Sequence, residues 1–472
     1  MIKFGTDGWR GVIAEDFTFD NVRICAQGVA SYFKQENPDK DLSLVIGYDT
    51  RFGSKDFAVA AAEVIAGNQI KVYLCSKPTP TPVVSYTVPD TLSDGAIIIT
   101  ASHNPYSWNG FKFRLSRGES ATDETTRRVE KNIAGISSIK EVKRVYLGDA
   151  LKQGTVNYLD PDISYLKHLK TLVDIEELRR HKLRIIVDSM YGAGNGYFKN
   201  LLQGRETTLV EIHGEQNPSF PGIQPEPIAK NLEELSIRVV DSKAAVGLAT
   251  DGDADRLGII DEQGNFLNQH QVFALLALYL LEVRGERGAI IKSLNCTSML
   301  KRLGEIFTVP VYETPIGFKW VAPLMIRENA LVGGEESGGY GFRGHIPERD
   351  GLLAGLYFLD FMVKTGKTPG ELLDYLYSKV GPHYYDRIDT HISPDSRGEM
   401  LKRLSDSMPQ AIAGSKVLRM DTTDGFRFFT SEDSWLLIRF SGTEPLVRIY
   451  AEDESPEKVR ELLDEGRKIA GV

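Results

Sequence analysis

Residues 42–74, LSLVIGYDTRFGSKDFAVAAAEVIAGNQIKVYL, carry the pattern that decides the fold. Residues 42–48 form a short apolar, β-branched run that reads as a buried strand. Residues 54–66 set small apolar side chains at helical spacing, and residues 70–74 read as a second strand. Strand, helix and strand in so short a span make a βαβ unit, in which the two strands lie parallel and the helix covers one face.

The same rhythm returns farther along. Residues 183–188, 244–250, 289–292 and 309–313 are strand candidates with helical stretches between them. After about residue 381 the pattern changes to a helix near 397–407, strands around Val417, Phe426 and Leu436 and over 447–452, and a closing helix. Polar or proline-bearing interruptions near 148–158, 261–265 and 381–385 divide the chain into 1–155, 156–260, 261–380 and 381–472. The predicted class is α/β: three similar mixed α/β domains with mostly parallel sheets, followed by a C-terminal α+β domain. A length of 472 residues fits several cores better than one.

Composition excludes several functions. Hydrophobic residues make up 42% and charged residues 26%, the balance of a folded globular chain. A net charge of −9 argues against nucleic acid as the main partner, because phosphate neutralisation needs excess Lys and Arg. Cys25, Cys75 and Cys296 form no CxxC pair, so neither a disulfide framework nor a zinc site is indicated. The apolar run at 272–283 is too short to span a membrane, and residues 1–10 lack the profile of a secretory signal. The expected location is cytoplasmic, without membrane attachment.

Four segments carry chemistry. Residues 100–105, Thr-Ala-Ser-His-Asn-Pro, follow the apolar run 96–99 and set Ser102 at the carboxyl end of a buried strand, where open α/β sheets bind ligands. The Ser102 hydroxyl can accept and return a phosphoryl group, and His103 can carry a proton. Taken alone, the string is also an ordinary Asn-Pro turn.

Residues 251–256, Asp-Gly-Asp-Ala-Asp-Arg, place Asp251, Asp253 and Asp255 on alternate positions where they can converge on one hard cation. An EF-hand fails because Arg256 stands where its loop needs glycine, and the flanks read as strands. Residues 439–448, with Arg439, Ser441, Gly442, Thr443 and Arg448, offer backbone amides, hydroxyls and guanidiniums suited to phosphate, although Ser-Gly-Thr also makes a plain turn. Residues 333–339 set Glu335 and Ser337 in a glycine turn that could grip sugar hydroxyls. Gly192, Gly194 and Gly196 are spaced GxGxG instead of GxGxxG, so no dinucleotide site is indicated.

Together with residues 4–11, Phe-Gly-Thr-Asp-Gly-Trp-Arg-Gly, this ordered set resembles the α-D-phosphohexomutase superfamily over nearly the whole chain. The resemblance implies four domains around a central active-site cleft and a mutase that works through phosphoserine and a hexose bisphosphate. It implies Ser102 as the phosphorylated nucleophile and a metal ligand beside Asp251, Asp253 and Asp255, with Mg²⁺ as the cofactor and glucose 1,6-bisphosphate as the activator. Arg10, His103 and Lys112 would lie near the transferring group, with Arg256 lining the same region. Glu335 and Ser337 would hold the sugar.

Residues 314–320, with Gly317 and Lys319, and the Glu-Glu-Ser form of the sugar loop look closer to the phosphoglucomutase branch than to the phosphoglucosamine branch. His345 and Arg349 are placed like phosphate or sugar contacts of glucose-specific enzymes. Gly339 departs from the histidine of dual glucose/mannose enzymes. Phosphomannomutase and phosphoglucosamine mutase are the alternatives within the family, and a phosphoserine-dependent phosphatase or a non-catalytic sugar-phosphate sensor those outside it. Hexose phosphates are the expected partners, with the chain a monomer or a homodimer.

Overall fold

A computed structural model describes residues 2–5, 7–204, 206–393, 396–406, 409–441 and 446–472. The first sheet contains β1 (Trp9–Val12), β2 (Ser43–Tyr48), β3 (Lys71–Cys75), β4 (Gly95–Ile99), β5 (Trp108–Arg114) and β6 (Val156–Leu159), in the order β1-β5-β4-β2-β3-β6. The second contains β7 (Arg184–Asp188), β8 (Thr208–Ile212), β9 (Val246–Thr250), β10 (Leu257–Ile260) and β11 (Phe266–Leu267), ordered β11-β10-β9-β7-β8. The third contains β12 (Ile290–Ser293), β13 (Val311–Thr314), β14 (Val332–Gly334) and β15 (Tyr340–Phe342), ordered β13-β12-β14-β15.

The fourth domain follows with β16 (Tyr384–His391), a small ribbon of β17 (Ala411–Ile412) and β18 (Ser415–Lys416), and then β19 (Arg419–Asp421), β20 (Phe426–Phe429), β21 (Trp435–Phe440) and β22 (Leu446–Asp453). Its main sheet, β16-β22-β21-β20-β19, is antiparallel throughout.

One construction recurs in the first three sheets. A parallel strand is followed at once by an antiparallel neighbour: β4 by β5, β9 by β10 and β14 by β15. The connecting turns are residues 100–107, 251–256 and 335–339, the segments singled out for chemistry. Each therefore lies at the carboxyl end of a parallel strand, where strand ends and backbone amides converge. The first sheet runs on through Leu159 and the second through Leu267, past the divisions drawn at 155/156 and 260/261. The added strands β6 and β11 close sheet edges, and polar segments precede them, which is why composition alone breaks the chain earlier.

One core joins the second and third domains, the first and fourth have cores of their own, and a smaller cluster of Leu294 with Phe429, Trp435, Leu437 and Tyr450 joins the third domain to the fourth. The helix Gly351–Thr365 forms the seam of the shared core, with every residue from Gly351 to Val363 buried. Asp350 starts this helix by accepting from Leu353 N, an N-cap that satisfies an otherwise orphaned amide. The apolar run at 272–283 packs in the same core. Among the described residues no helix is long and apolar enough to cross a membrane.

Candidate active site

Ser102 sits in the β4–β5 turn with φ +52°, a left-handed conformation uncommon outside glycine, and it is buried. Its hydroxyl donates to Asp251 Oδ2 at 2.7 Å across 149 positions of sequence, and its Oγ lies 3.2 Å from His103 Nδ1. The turn is held from below by Arg51, at the end of β2. One guanidinium donates to the carbonyls of Ser102 (2.6 Å), Asn104 (2.6 Å), Pro105 (2.8 Å) and Trp108 (3.1 Å). Asp49 pairs with Arg51 Nε at 3.2 Å. Arg10, on β1, reaches Asn104 Oδ1 at 2.6 Å and so joins the same turn.

The β9–β10 turn brings Asp251, Asp253 and Asp255 together, all buried, with ligand atoms within 4.8 Å of one another. Asp251 Oδ1 accepts from the amides of Asp255 and Arg256. Asp253 Oδ2 accepts from Thr81 Oγ1 at 2.5 Å and Lys112 Nζ at 2.8 Å, while Thr81 N donates to the Asp253 carbonyl. Asp255 Oδ2 faces Arg349 Nη2 at 2.9 Å.

Burial and the Asp253 and Asp255 charges push the Asp251 carboxyl well above its ordinary range, and burial also raises Asp255. Burial acts on Asp253 in the same direction, but Lys112 overcomes it and holds that carboxyl low. Among the described residues no hydrogen-bond donor reaches the buried Asp253 Oδ1 and Asp255 Oδ1. Three converging carboxylates with unused oxygens fit a small hard cation such as Mg²⁺, which takes carboxylate ligands and completes its shell with phosphate or water.

Cations surround this pocket of negative charge. Lys112 Nζ lies 2.8 Å from both Asp7 and Asp253, and burial alone would lower its pKa, but the two carboxylates raise it above the usual lysine value. Arg349 joins Asp7 at 2.7 Å and Asp255 at 2.9 Å, and its Nη1 lies 3.6 Å from Glu335. Arg256 lies 3.5 Å from Glu226 and 3.8 Å from Asp255. Burial lowers the pKa of His103 well below its ordinary value, and Arg256, Arg10, Arg51 and Lys112 add to the effect, so the ring is neutral.

The sugar-loop candidates lie beside this cluster through Arg349. Burial raises the Glu335 carboxyl, and Ser337 Oγ is buried without a hydrogen-bond partner among the described residues. Lys319 instead pairs with Asp123 of the first domain, and Gly317, at φ +125°, begins the helix Phe318–Glu328. His345 stays outside the cluster, against expectation. Its Nε2 bonds Asp350 at 2.8 Å and its Nδ1 bonds His168 at 3.0 Å, so neither nitrogen is left for a phosphate or sugar. It stacks in a three-ring group with His168 and Tyr86, one ring from each of the first three domains.

In the fourth domain Arg439 Nε pairs with Asp424 at 2.9 Å and Arg448 Nε faces Asp389 at 3.5 Å. The Ser441 amide donates to Leu446 O at 2.8 Å. Gly442 and Thr443 lie outside the described residues.

Asp7, Arg51, Thr81, Arg114 and Glu348 belong to the cluster without having been singled out. The available signal was charge inside apolar strands. Lys112 and Arg114 sit in Phe-Lys-Phe-Arg on β5, and Asp49 and Arg51 follow the carboxyl end of β2.

Comparison with known proteins gives four family matches in chain order. Residues 1–140, 163–264 and 268–380 match the phosphoglucomutase/phosphomannomutase alpha/beta/alpha domains I, II and III, and residues 399–469 match the C-terminal domain of that family. A phosphoglucomutase/phosphomannomutase of Thermococcus kodakarensis is 30% identical over 99% of this chain and 98% of its own length. A phosphoglucomutase of Komagataeibacter xylinus is 29% identical over 96% of this chain and 87% of its own. A crystal structure from Thermus thermophilus, assigned as a phosphomannomutase, superposes with a TM-score of 0.86 at 35% identity, covering 100% of this chain and 99% of that one.

Proposed function

The chain belongs to the phosphoglucomutase/phosphomannomutase family, isomerases that act as intramolecular phosphotransferases, and we propose that its reaction is the interconversion of glucose 1-phosphate and glucose 6-phosphate. The observation that carries the chemistry is the 2.7 Å contact between the Ser102 hydroxyl and Asp251 inside a cluster of buried cations. Phosphoryl transfer depends on positioning and charge neutralisation more than on unusual groups, and this cluster supplies both.

Phosphoserine 102 gives its phosphoryl group to the free hydroxyl of the hexose phosphate, forming the 1,6-bisphosphate. That bisphosphate turns over in the site and returns its other phosphoryl group to Ser102, so added glucose 1,6-bisphosphate primes the enzyme. Mg²⁺ held by Asp251, Asp253, Asp255 and the phosphoserine would supply positive charge beside the transferring oxygens. Arg10, Arg256 and Lys112 neutralise the same oxygens. Lys112 is held in its ammonium form by Asp253 and Asp7, whereas the neutral His103 ring has a lone pair to accept a hydroxyl proton.

Glu335 and the Ser337 hydroxyl hold the sugar, with Gly317 and Lys319 at the margin. Arg439, Arg448 and the 441–443 turn hold the distal phosphate. Gly339 stands where the dual glucose/mannose enzymes have histidine, and a Cβ there would lie 2.3 Å from Arg349 Cδ, so Arg349 fills that space and mannose phosphates are secondary substrates. The enzyme works in the cytoplasm as a monomer or homodimer.

The test mixes purified protein, Mg²⁺, catalytic bisphosphate and glucose 1-phosphate, and compares kcat/KM with mannose, glucosamine and pentose phosphates. Glucose phosphate should lead. Preference for another sugar overturns the substrate, and release of inorganic phosphate faster than isomerisation makes the protein a phosphatase.

A further inference from the structure

Four charged side chains of alternating sign run from the sugar loop of the third domain to the phosphate-loop strand of the fourth. Glu336, between Glu335 and Ser337, accepts from Arg387 Nη1 at 2.9 Å and from the Tyr385 hydroxyl at 2.8 Å. Arg387 Nε reaches Asp389 Oδ1 at 2.9 Å, and Asp389 Oδ2 faces Arg448 Nε at 3.5 Å. Tyr385, Arg387 and Asp389 alternate along β16 and so share one face of the sheet, and Asp389 is the register partner of Arg448 on β22. The chain is continuous from one domain to the other.

Its first link is not a screened surface pair. The Glu336 side chain is 15% exposed and Arg387 31%. Burial pushes the Glu336 carboxyl up, but Arg387 leads the groups that bring it below its usual range, so it is ionised at neutral pH. Tyr385 is fixed from behind by His270, whose ring stacks on it with centroids 3.9 Å apart. Glu336 and Asp389 share the one Arg387 guanidinium, so neutralising either carboxylate changes how that guanidinium sits against the other, and the two effects are coupled.

We infer that Glu336 is a positioning residue: through Arg387 and Asp389 it sets the guanidinium of Arg448 relative to Glu335 and Ser337, fixing the span between the sugar grip and the phosphate grip. The inference rests on the functional reading above, in which those two loops hold the two ends of one hexose phosphate. Arg302 and Asp433 pair across the same two domains at 3.0 Å without touching either loop, and they supply the control.

The experiment measures KM for glucose 1-phosphate and the single-turnover rate of phosphoryl transfer from primed, Mg²⁺-loaded enzyme. The variants are Glu336→Gln, Asp389→Asn, the double variant and Arg302→Met. Each single change at 336 or 389 should raise KM by roughly tenfold, the double should raise it no further, and single-turnover transfer should stay within about twofold, because the two residues act in one chain. Arg302→Met should leave KM unchanged. Additive effects, or an equal rise in Arg302→Met, overturn the inference by assigning the effect to domain packing. If Glu336→Gln does not fold, Asp389→Asn against Arg302→Met decides the point. Wild-type protein without turnover would overturn the functional reading and this inference together, whereas active wild type with an unchanged KM in Asp389→Asn overturns this inference alone.

Discussion

The α-carbon of Gly252 lies so close to the Ser102 carbonyl that a Cβ on it would approach the oxygen to 2.4 Å. The same carbonyl accepts from Arg51 at 2.6 Å, and Ser102 holds φ +52°. The nucleophile turn is therefore pinned between a guanidinium of its own domain and a glycine of the metal loop. Gly252→Ala pushes the two turns apart and moves Oγ away from Asp251. Because a displacement of ~1 Å at a reacting group can cost ~100-fold in rate, kcat should fall by about that factor while the far-UV spectrum is retained. Wild-type kcat in the alanine variant would show that the turns tolerate separation.

Arg51→Lys tests the other side of the pin. A lysine keeps the charge beside Asp49 but cannot supply planar donors to four carbonyls. Buried acceptors left without donors cost ~1–3 kcal/mol each before relaxation, so the variant should lose about 3 kcal/mol in urea unfolding as well as most of its activity. A loss of activity with unchanged unfolding would place Arg51 in direct contact with substrate instead.

Metal binding should appear as stability. Asp251, Asp253 and Asp255 repel one another while buried, and a cation that binds only the folded state stabilises it by about 2.7 kcal/mol at 100 times its Kd. Stripping with EDTA should lower Tm and abolish turnover, and adding Mg²⁺ should restore both. In Asp255→Asn the Mg²⁺-dependent part of the Tm rise should shrink. An identical Mg²⁺ response in that variant would exclude Asp255 from the ligand set.

The parallel strands and the turns after them were legible because buried strands are continuous apolar runs and their carboxyl ends are where small and charged residues cluster. Ser102, the Asp251–Asp253–Asp255 trio and Lys112 were found that way or through the ordered motifs. What stayed hidden depended on distance across the fold. In strand β5 Lys112 and Arg114 alternate with Phe111 and Phe113 and are buried by carboxylates from the first, second and third domains, whereas a one-dimensional pattern assigns such residues to solvent. Arg51 acts through carbonyl oxygens, which every residue has and no composition distinguishes. His345 shows the reverse error: its place in a motif suggested a ligand contact, whereas the fold turns it toward His168 and Asp350.

His270 gives a pH prediction with a defined sign. Its ring is buried, both nitrogens lack hydrogen-bond partners among the described residues, and burial brings its pKa down from 6.5 to about 4. The unfolded ring takes a proton near 6.5, while the folded ring takes none until about 4. Between these values the unfolded state binds more protons, so stability contributed by the neutral ring is full above pH 6.5, falls as pH drops through the window and levels off below it. The depression corresponds to about 3 kcal/mol across the whole window. In His270→Phe, which keeps an aromatic ring against Tyr385, that part of the acid-side loss between pH 6.5 and 4 should vanish from urea-unfolding curves. An unchanged acid-side slope would mean that another group carries the dependence.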